Sequence, residues 1–214
     1  MHRHSSICSC CADTRGETPL PDPSVWQTIG PFFPTRLAEP TCTDLTELRG
    51  RSARGTRITL SGRIMERDGQ PVKNGIVEIW QPDADGLFAH PADPRAASAD
   101  PNFLGWGRCA TDGNGWYRFR TIMPGRRADN EGGARLPHIN MMLLASGIMR
   151  RLTTTVFFGN NPDTAEDPVV AVVPLASRGR LFAQRAPELD RVTDEGWRFD
   201  VVIQGAEETP FFLD

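Results

Sequence analysis

The chain has 214 residues, a formal net charge of −3 and a mean hydropathy of −0.38, values typical of one main globular domain. Its most apolar stretch, 139–149, falls short of the ~20 residues that a membrane span requires, which excludes a transmembrane protein. The balance of 24 basic against 27 acidic residues gives no surplus positive charge for a polyphosphate, and this argues against nucleic acid as a partner.

The first 18 residues are expected to form a disordered tail. They begin MHRHSSICSCCADTRG, which contains potential metal ligands, but the spacing matches no C-x2-C pair and the segment has little apolar surface to bury. It also lacks the apolar h-region of a signal peptide. We therefore expect a reducing cytoplasm, with Cys42 and Cys109 present as thiols.

Residues 19–55 are expected to form an extended N-terminal arm. Four prolines between positions 21 and 34 exclude regular structure, while Trp26, Phe32 and Phe33 supply surface of the kind usually buried. Such a segment has to pack on its own domain or on a second chain. An aromatic arm is a common interface element, so we predict that this one is interfacial.

Residues 56–214 alternate apolar and polar side chains with a period of two, which indicates short strands. The turns Asp68-Gly69 and Ser146-Gly147 separate strands, and one helical segment is predicted at 176–186, ended by Pro187. These features predict an all-β fold, a two-sheet β-sandwich. The predicted strands cover 56–64, 75–81, 116–122, 138–145, 151–158 and 197–203.

The chain contains a single tyrosine, Tyr117, and four histidines, of which only His90 and His138 lie within the predicted domain. Any site that requires two phenolate ligands from this chain is therefore excluded. Tyr117 lies in the alternating strand WYRFRTI, where we predict a packing role.

Five collinear motifs carry a family resemblance. They are SVWQTIGPFF, VEIWQPDADGLF, DPNFLGWGRCATDGNGWYRFRTIMPG, LPHIN and FDVVIQGAEETPFF, and the resemblance that they carry runs from about Pro21 to Asp214. In these motifs the chain resembles the intradiol ring-cleavage dioxygenases, and within them the alpha chains of the two-chain enzymes. The resemblance implies a β-sandwich, and an Fe(III) ion that catalytic chains hold with two tyrosines and two histidines. Phenolates are hard, strongly donating ligands suited to ferric iron.

Carried over position by position, that ligand set is incomplete here. Phe88 stands where the resemblance implies the first tyrosine, and Arg127, after the Pro-Gly turn, stands near the second. The H-x-H pair reads His138-Ile139-Asn140. The predicted vestigial ligand positions are thus Phe88, Arg127, His138 and Asn140. One histidine cannot hold iron(III), so neither a metal site nor a catalytic residue is predicted in this chain.

The resemblance therefore implies the non-iron subunit of a hetero-oligomer, with Fe(III) bound by a beta subunit. Chains of this class contribute an N-terminal loop to the partner's active site, and the matching residues are Thr28, Ile29, Gly30 and Pro31. Glycine permits close backbone approach, proline fixes the loop, and a threonine hydroxyl can bind a substrate oxygen. A plain turn beneath the aromatic arm is the alternative, and the resemblance favours contact with the partner's site.

One position departs from the pattern. Ser146 precedes Gly147, where the resemblance implies an arginine suited to a substrate carboxylate. Arg150 and Arg151 follow closely, but neighbours in a strand face opposite ways, so at most one could substitute. The preferred aromatic acid therefore stays open.

Two other functions stay open. The chain could be a β-sandwich binding or structural module without a dioxygenase partner. It could also be a stand-alone intradiol dioxygenase with an unrecognised metal site, for example one using His90 and His138. Two imidazoles without further ligands make a poor iron site, and the residues before the first clear strand leave little room for the helical domain of the catechol-type enzymes.

Overall fold

The computed structural model describes residues 42–128, 134–148, 150–159 and 167–212. Helical structure in this part of the chain consists of single turns: α1 Pro168–Ala171, α2 Leu175–Arg178, and 3-10 turns at Ala96–Ser98, Gly179–Leu181 and Pro187–Leu189. The strands are β1 Glu47–Leu48, β2 Arg51–Ser52, β3 Arg57–Met65, β4 Ile76–Trp80, β5 Trp106–Ala110, β6 Trp116–Ile122, β7 Arg127–Ala128, β8 Ala134–Arg135, β9 His138–Leu144, β10 Leu152–Phe157, β11 Gln184–Arg185, β12 Asp194–Arg198 and β13 Val201–Val202.

Two sheets pack face to face. The first has the order β10-β9-β4-β5 and is antiparallel throughout. The second has the order β11-β12-β3-β13, with β6 also paired to β3. The β12 and β13 strands both run parallel to β3, while β6 runs antiparallel to it. The predicted two-sheet β-sandwich is confirmed.

The core lies between the sheets because each long strand turns one face inward. On β3, Ile58, Leu60 and Ile64 are fully buried, and on β9 the alternate residues Ile139 and Met141 meet them from the other sheet. Burial of such side chains contributes about 1.5–3 kcal/mol each relative to exposure.

Gly62 occupies the inward-facing β3 position between Leu60 and Ile64, and close backbone approach explains it. A Cβ at Gly62 would lie 1.7 Å from the carbonyl oxygen of Phe199 and 2.8 Å from the Tyr117 hydroxyl. Tyr117 is 1% exposed and its hydroxyl donates a hydrogen bond to that same carbonyl oxygen at 2.5 Å. Its predicted packing role is confirmed, and burial raises its pKa well above the ordinary value.

A smaller apolar cluster lies beneath the two α-helical turns, and Phe157, Val170 and Leu181 are its fully buried members. Asp167 connects it to the sheet. Its buried carboxylate caps α1 at the Val169 amide and accepts hydrogen bonds from the Arg135 side chain and the Leu136 amide.

The predicted strands are present with small changes in their ends, and the Ser146-Gly147 turn joins β9 to β10. The Asp68-Gly69 turn is also present, but it does not form a hairpin between β3 and β4, because these strands belong to different sheets. It pairs only Met65 with Pro71, through an isolated antiparallel bridge. The segment 197–203 is divided between β12 and β13. The helix predicted at 176–186 is shorter and continues as a 3-10 turn, because residues 184–185 pair with β12.

The described end of the N-terminal arm, 42–55, packs on the chain's own sandwich. Cys42 forms an isolated backbone β-bridge with Arg108 at the edge of one sheet. Asp44 forms a second one with Arg120 at the edge of the other sheet. Leu45 joins the core. Residues 1–41, which include the predicted tail and most of the arm, lie outside the described residues, so the interfacial role stays a prediction.

The cysteine expectation is half correct. Cys109 is a buried free thiol, and burial raises its pKa. Cys42 is disulfide-bonded, contrary to the expectation of a thiol, and its partner cysteine lies outside the described residues. The sequence spacing gave no sign of this pairing. Among the described helices, none is long and apolar enough to cross a membrane.

Candidate functional site

Several of the predicted vestigial positions meet at one cavity of about 230 Å³ beside the ends of β4 and β9. Three of the four, Phe88, Arg127 and Asn140, line it, and His138 is not among its lining residues. The lining residues are Trp80, Phe88, His90, Ala92, Asp93, Arg127 and Asn140.

Strand register and one glycine bring these side chains together. Trp80 and Asn140 are direct partners across β4 and β9. The loop after β4 then approaches the chain before β7 closely, since a Cβ at Gly86 would lie 2.2 Å from the Arg126 carbonyl oxygen. Gly86 also has a φ of +76°, which glycine adopts without strain. Phe88 is thereby placed beside Arg127.

The buried carboxylate of Asp83 fixes this loop. It is 2% exposed and accepts hydrogen bonds from the backbone amides of Asp85, Leu87 and Asp100. Buried carboxylates need such partners to offset their lost hydration. The loop that carries the cavity is therefore held in one conformation.

Aromatic and cationic groups form one wall of the cavity. Trp80 and Phe88 are stacked, with ring centroids 5.7 Å apart and an interplanar angle of 10°. The Arg127 guanidinium lies 5.0 Å from the Phe88 ring centroid, and the His90 ring meets Trp80 edge-on at 5.7 Å. A cation over an aromatic face is stabilised by the ring quadrupole.

Asp93 supplies the negative charge of the cavity. Burial opposes its ionisation, but hydrogen bonds from the amides of Arg95 and Phe88 outweigh that effect and hold the pKa of Asp93 below its ordinary value. Its carboxylate lies 3.9 Å from the Arg127 guanidinium, a distance that leaves the ion pair loose.

Three polar groups of the cavity retain unused donors. The Arg127 Nε–H is buried and has no acceptor among the residues that the structure describes. The Asn140 side-chain oxygen accepts the Thr155 hydroxyl at 3.3 Å, which leaves the Asn140 amide NH2 as a donor. His90 Nδ1 accepts the Ala92 amide at 3.2 Å, which places the proton of the neutral ring on Nε2.

His138 lies in different surroundings from His90. It is 2% exposed, its Nδ1 lies 2.6 Å from the Leu136 carbonyl oxygen, and its ring contacts Phe157. Burial, together with the nearby Arg135 charge, lowers the pKa of His138 to about 4, so the ring is neutral near pH 7. It is a packed, hydrogen-bonded residue of the sheet.

The cavity residues do not fit ferric iron. Phe88 has no donor atom, Arg127 is a cation, and the Asn140 oxygen is already hydrogen bonded. Ferric iron requires anionic, hard ligands, and Asp93 alone supplies one. Within the described ranges, no three His, Cys, Asp or Glu side chains are grouped as a metal site would need.

The remaining predicted positions are not part of this cavity. Thr28, Ile29, Gly30 and Pro31 lie outside the described residues, and their role stays a prediction. Ser146 lies in the turn after β9. Arg150 and Arg151 precede β10 and are exposed, so the argument that neighbours in a strand face opposite ways does not apply to them.

Sequence reasoning missed Trp80 and Asp93 as members of the cavity. Both lie in or after the motif VEIWQPDADGLF, whose clustered Asp, Pro and Gly residues signal an ordered loop. The pattern does not show which side chains that loop turns toward Asn140, because this depends on the pairing of β4 with β9.

A second concave region, about 1150 Å³, lies on the outer face of the second sheet. Its floor includes Thr59 and Ser61, and Arg120 and Asp194 cross it as an ion pair with a 2.6 Å contact. Arginine and acidic side chains alternate along its walls, so it carries no single sign of charge.

Comparison with known proteins gives a consistent result. The family model described as "Dioxygenase" matches residues 28–205. The chain is 34% identical over 195 residues to the alpha chain of protocatechuate 3,4-dioxygenase from Burkholderia cepacia, which covers 87% of this chain and 94% of that one. It is 40% identical over 162 residues to the beta chain from the same organism, covering 73% and 68% respectively.

Solved structures agree with these sequence relationships. The dioxygenase domain of a carbohydrate-binding fusion protein from Streptomyces sp. SirexAA-E superposes with a TM-score of 0.55 at 25% identity, covering 86% of this chain and 100% of that one. Catechol 1,2-dioxygenase from Acinetobacter sp. ADP1 superposes with a TM-score of 0.57 at 26% identity, covering 74% and 55%.

Proposed function

The chain belongs to the intradiol ring-cleavage dioxygenase family, and from this premise we propose that it is the alpha, non-iron subunit of a protocatechuate 3,4-dioxygenase. In this assembly Fe(III) is bound by the beta subunit, and the enzyme inserts O2 into protocatechuate to give 3-carboxy-cis,cis-muconate in the beta-oxoadipate pathway. The subunit is inactive by itself and resides in the cytoplasm. Its contribution is structural and, through the N-terminal loop, to the wall of the partner's site.

The donor set of the chain is the observation that carries this proposal. The whole sequence has one tyrosine, and that tyrosine is buried in the core with its hydroxyl bonded to Phe199. No phenolate is therefore available at the cavity, where Phe88 and Arg127 face Asn140. A chain of this family that cannot supply phenolate ligands needs a second chain to hold the iron.

The relatives include both chain types, so identity alone does not choose between them. The match to the beta chain has the higher identity, whereas the match to the alpha chain covers nearly the whole relative. We favour the alpha role because the cavity lacks ligands that a catalytic chain requires. The higher identity to a beta chain indicates instead that the two chain types share most of their sandwich.

The Thr28–Pro31 loop is proposed to complete the partner's substrate site. The described chain begins at Cys42, whose backbone pairs with Arg108 at the edge of the first sheet, and this anchors the arm at one point of the domain. With Ser146 in place of the arginine that the resemblance implies, the substrate carboxylate is proposed to be bound by other groups of the assembly.

A second candidate is a β-sandwich binding module without a dioxygenase partner. The unused hydrogen-bond donors of the cavity favour it, since a chain with a role of its own could retain a ligand site there. It predicts that no beta chain associates with this one.

Co-expression tests the proposal. The chain alone, a beta chain from the same source alone, and the two together are purified and assayed for O2 uptake with protocatechuate and catechol. We expect co-purification and uptake with protocatechuate only for the pair. Uptake by this chain alone, or a beta chain that is fully active and never co-purifies with it, would contradict the alpha role.

A further inference from the structure

We propose that the cavity beside Phe88 and Arg127 is a binding site for a small carboxylate anion. The site stands on this chain's own residues and does not depend on the proposed partner. A volume of about 230 Å³ exceeds the roughly 30 Å³ that one water occupies several-fold, so a small organic ion fits.

The free polar groups of the cavity are hydrogen-bond donors, so a ligand has to supply hydrogen-bond acceptors. Arg127 Nε–H, the Asn140 NH2 group and His90 Nε2–H are all donors, and the acceptor atoms of Asn140 and His90 already have partners. A buried guanidinium N–H without an acceptor costs free energy, which a bound oxygen recovers. Charge-assisted hydrogen bonds to a carboxylate are the stronger kind.

The charges of the walls select a monovalent ligand. Arg127 contributes one positive charge to the wall, and Asp93 contributes one negative charge at 3.9 Å from it. The Asp93 charge is also neutralised by Arg95, whose Nε lies 3.5 Å away. The Asp93 oxygens are directed toward the amides of Phe88 and Arg95, which turns the negative charge toward its own loop. A phosphate dianion would meet more repulsion from Asp93 than a carboxylate does.

The aromatic wall supplies the second half of the recognition. Trp80 and Phe88, stacked on each other, form an apolar wall beside the donors, and sites for small molecules combine apolar walls with few polar groups. Acetate, with a methyl group and two oxygens, is the smallest probe that uses both. Trp80 also provides a fluorescence signal within the cavity.

Titration of the full chain with sodium acetate, followed by calorimetry and tryptophan fluorescence, tests the site. We expect saturable binding with one acetate per chain. Arg127→Gln should weaken it by about tenfold or more, because it removes the charged donor, whereas Arg118→Gln, an equal charge change on an exposed residue, should leave it unchanged.

Asn140→Asp gives a second test with almost no change in size. It replaces the NH2 donor by a negative oxygen and should abolish acetate binding, while circular dichroism and the unfolding midpoint show that the variant folds. No saturable binding to the native chain, equal binding to Arg127→Gln, or tighter binding of phosphate or chloride than of acetate would each overturn the proposal. None of these outcomes bears on the alpha role, which rests on partner-dependent activity.

Discussion

His138 shows how a single residue of a ligand-type pair becomes part of the fold. Its ring is buried against Phe157, and its Nδ1 is held at the Leu136 carbonyl oxygen. The neighbouring Asn140 faces the cavity and not a metal. The same strand positions that in a catalytic chain would present two imidazoles therefore serve packing at one position and hydrogen bonding at the other.

Protonation of His138 should destabilise the protein in mildly acidic solution. Its pKa is lowered to about 4 in the fold, below the ordinary value near 6.5, so the unfolded chain takes up the proton first. The stabilisation that comes from keeping His138 neutral is fully present above pH ~6.5 and falls as pH is lowered toward 4. Between pH 7 and 5 the loss should be about 2 kcal/mol.

Urea unfolding at pH 7 and pH 5 measures this effect. His138→Gln should show a smaller loss than the native chain over the same interval, because it removes the buried ring whose pKa is lowered. An undiminished pH dependence in His138→Gln would show that other groups carry it.

Gly62 is the residue at which the core is least tolerant of added volume. Gly62→Ala should lower the free energy of unfolding by about 3 kcal/mol or more, since its Cβ would meet the Phe199 carbonyl at 1.7 Å and the backbone would have to move. Gly113→Ala is the control, because no atom lies within 4 Å of its Cβ position. Equal midpoints for the two variants in urea unfolding would contradict this account.

At the scale of elements, Arg120 connects three parts of the chain. It lies on β6, binds Asp194 of β12 through two hydrogen bonds, and also contacts Asp44 in the arm. The Arg120 hydrogen bond outweighs burial and lowers the pKa of Asp194. The Asp194–Arg120 pair therefore stabilises the fold above the unfolded-state pKa of aspartate near 3.9. This stabilisation is lost as pH falls through the lower pKa of Asp194 in the fold.

Asp194→Asn should lower the free energy of unfolding by about 2 kcal/mol at pH 7, because Arg120 loses its closest partner but remains a third exposed and paired with Asp44. Glu188→Gln, which removes an exposed pair at 3.9 Å, should change it by less than ~0.5 kcal/mol. Urea unfolding compares the two. A loss in Asp194→Asn no larger than the control would show that the network is solvated.

Strands in which apolar and polar side chains alternate strongly were predictable from the sequence, and the strands that were missed or divided have physical causes. The β5 strand was missed because its inward residues, Gly107 and Cys109, are small and give a weak apolar signal. The segment 197–203 divides because the Asp200 side chain takes the Arg63 amide that a continuous ladder would use. The cavity could be predicted only as separate positions, since loop conformation brings Phe88 to Arg127.

At the scale of the whole molecule, the aromatic arm is the predicted means of assembly. Trp26→Ala with Phe32→Ala should weaken association with a beta chain by tenfold or more, because aromatic anchors dominate interface energies. Sedimentation of the pair measures this, and thermal unfolding of the single chain should change less. Val192→Ala, at a fully exposed side chain, is the control. Unchanged association would remove the arm from the interface.

The division of labour between two chains is the central claim, and iron content tests it most directly. Iron and the visible absorption of phenolate-bound iron(III) are measured in this chain purified alone and in the co-expressed pair. We expect about one iron for each pair of chains and the red-brown band in the pair, with neither in the single chain. Stoichiometric iron with that band in the single chain would contradict it.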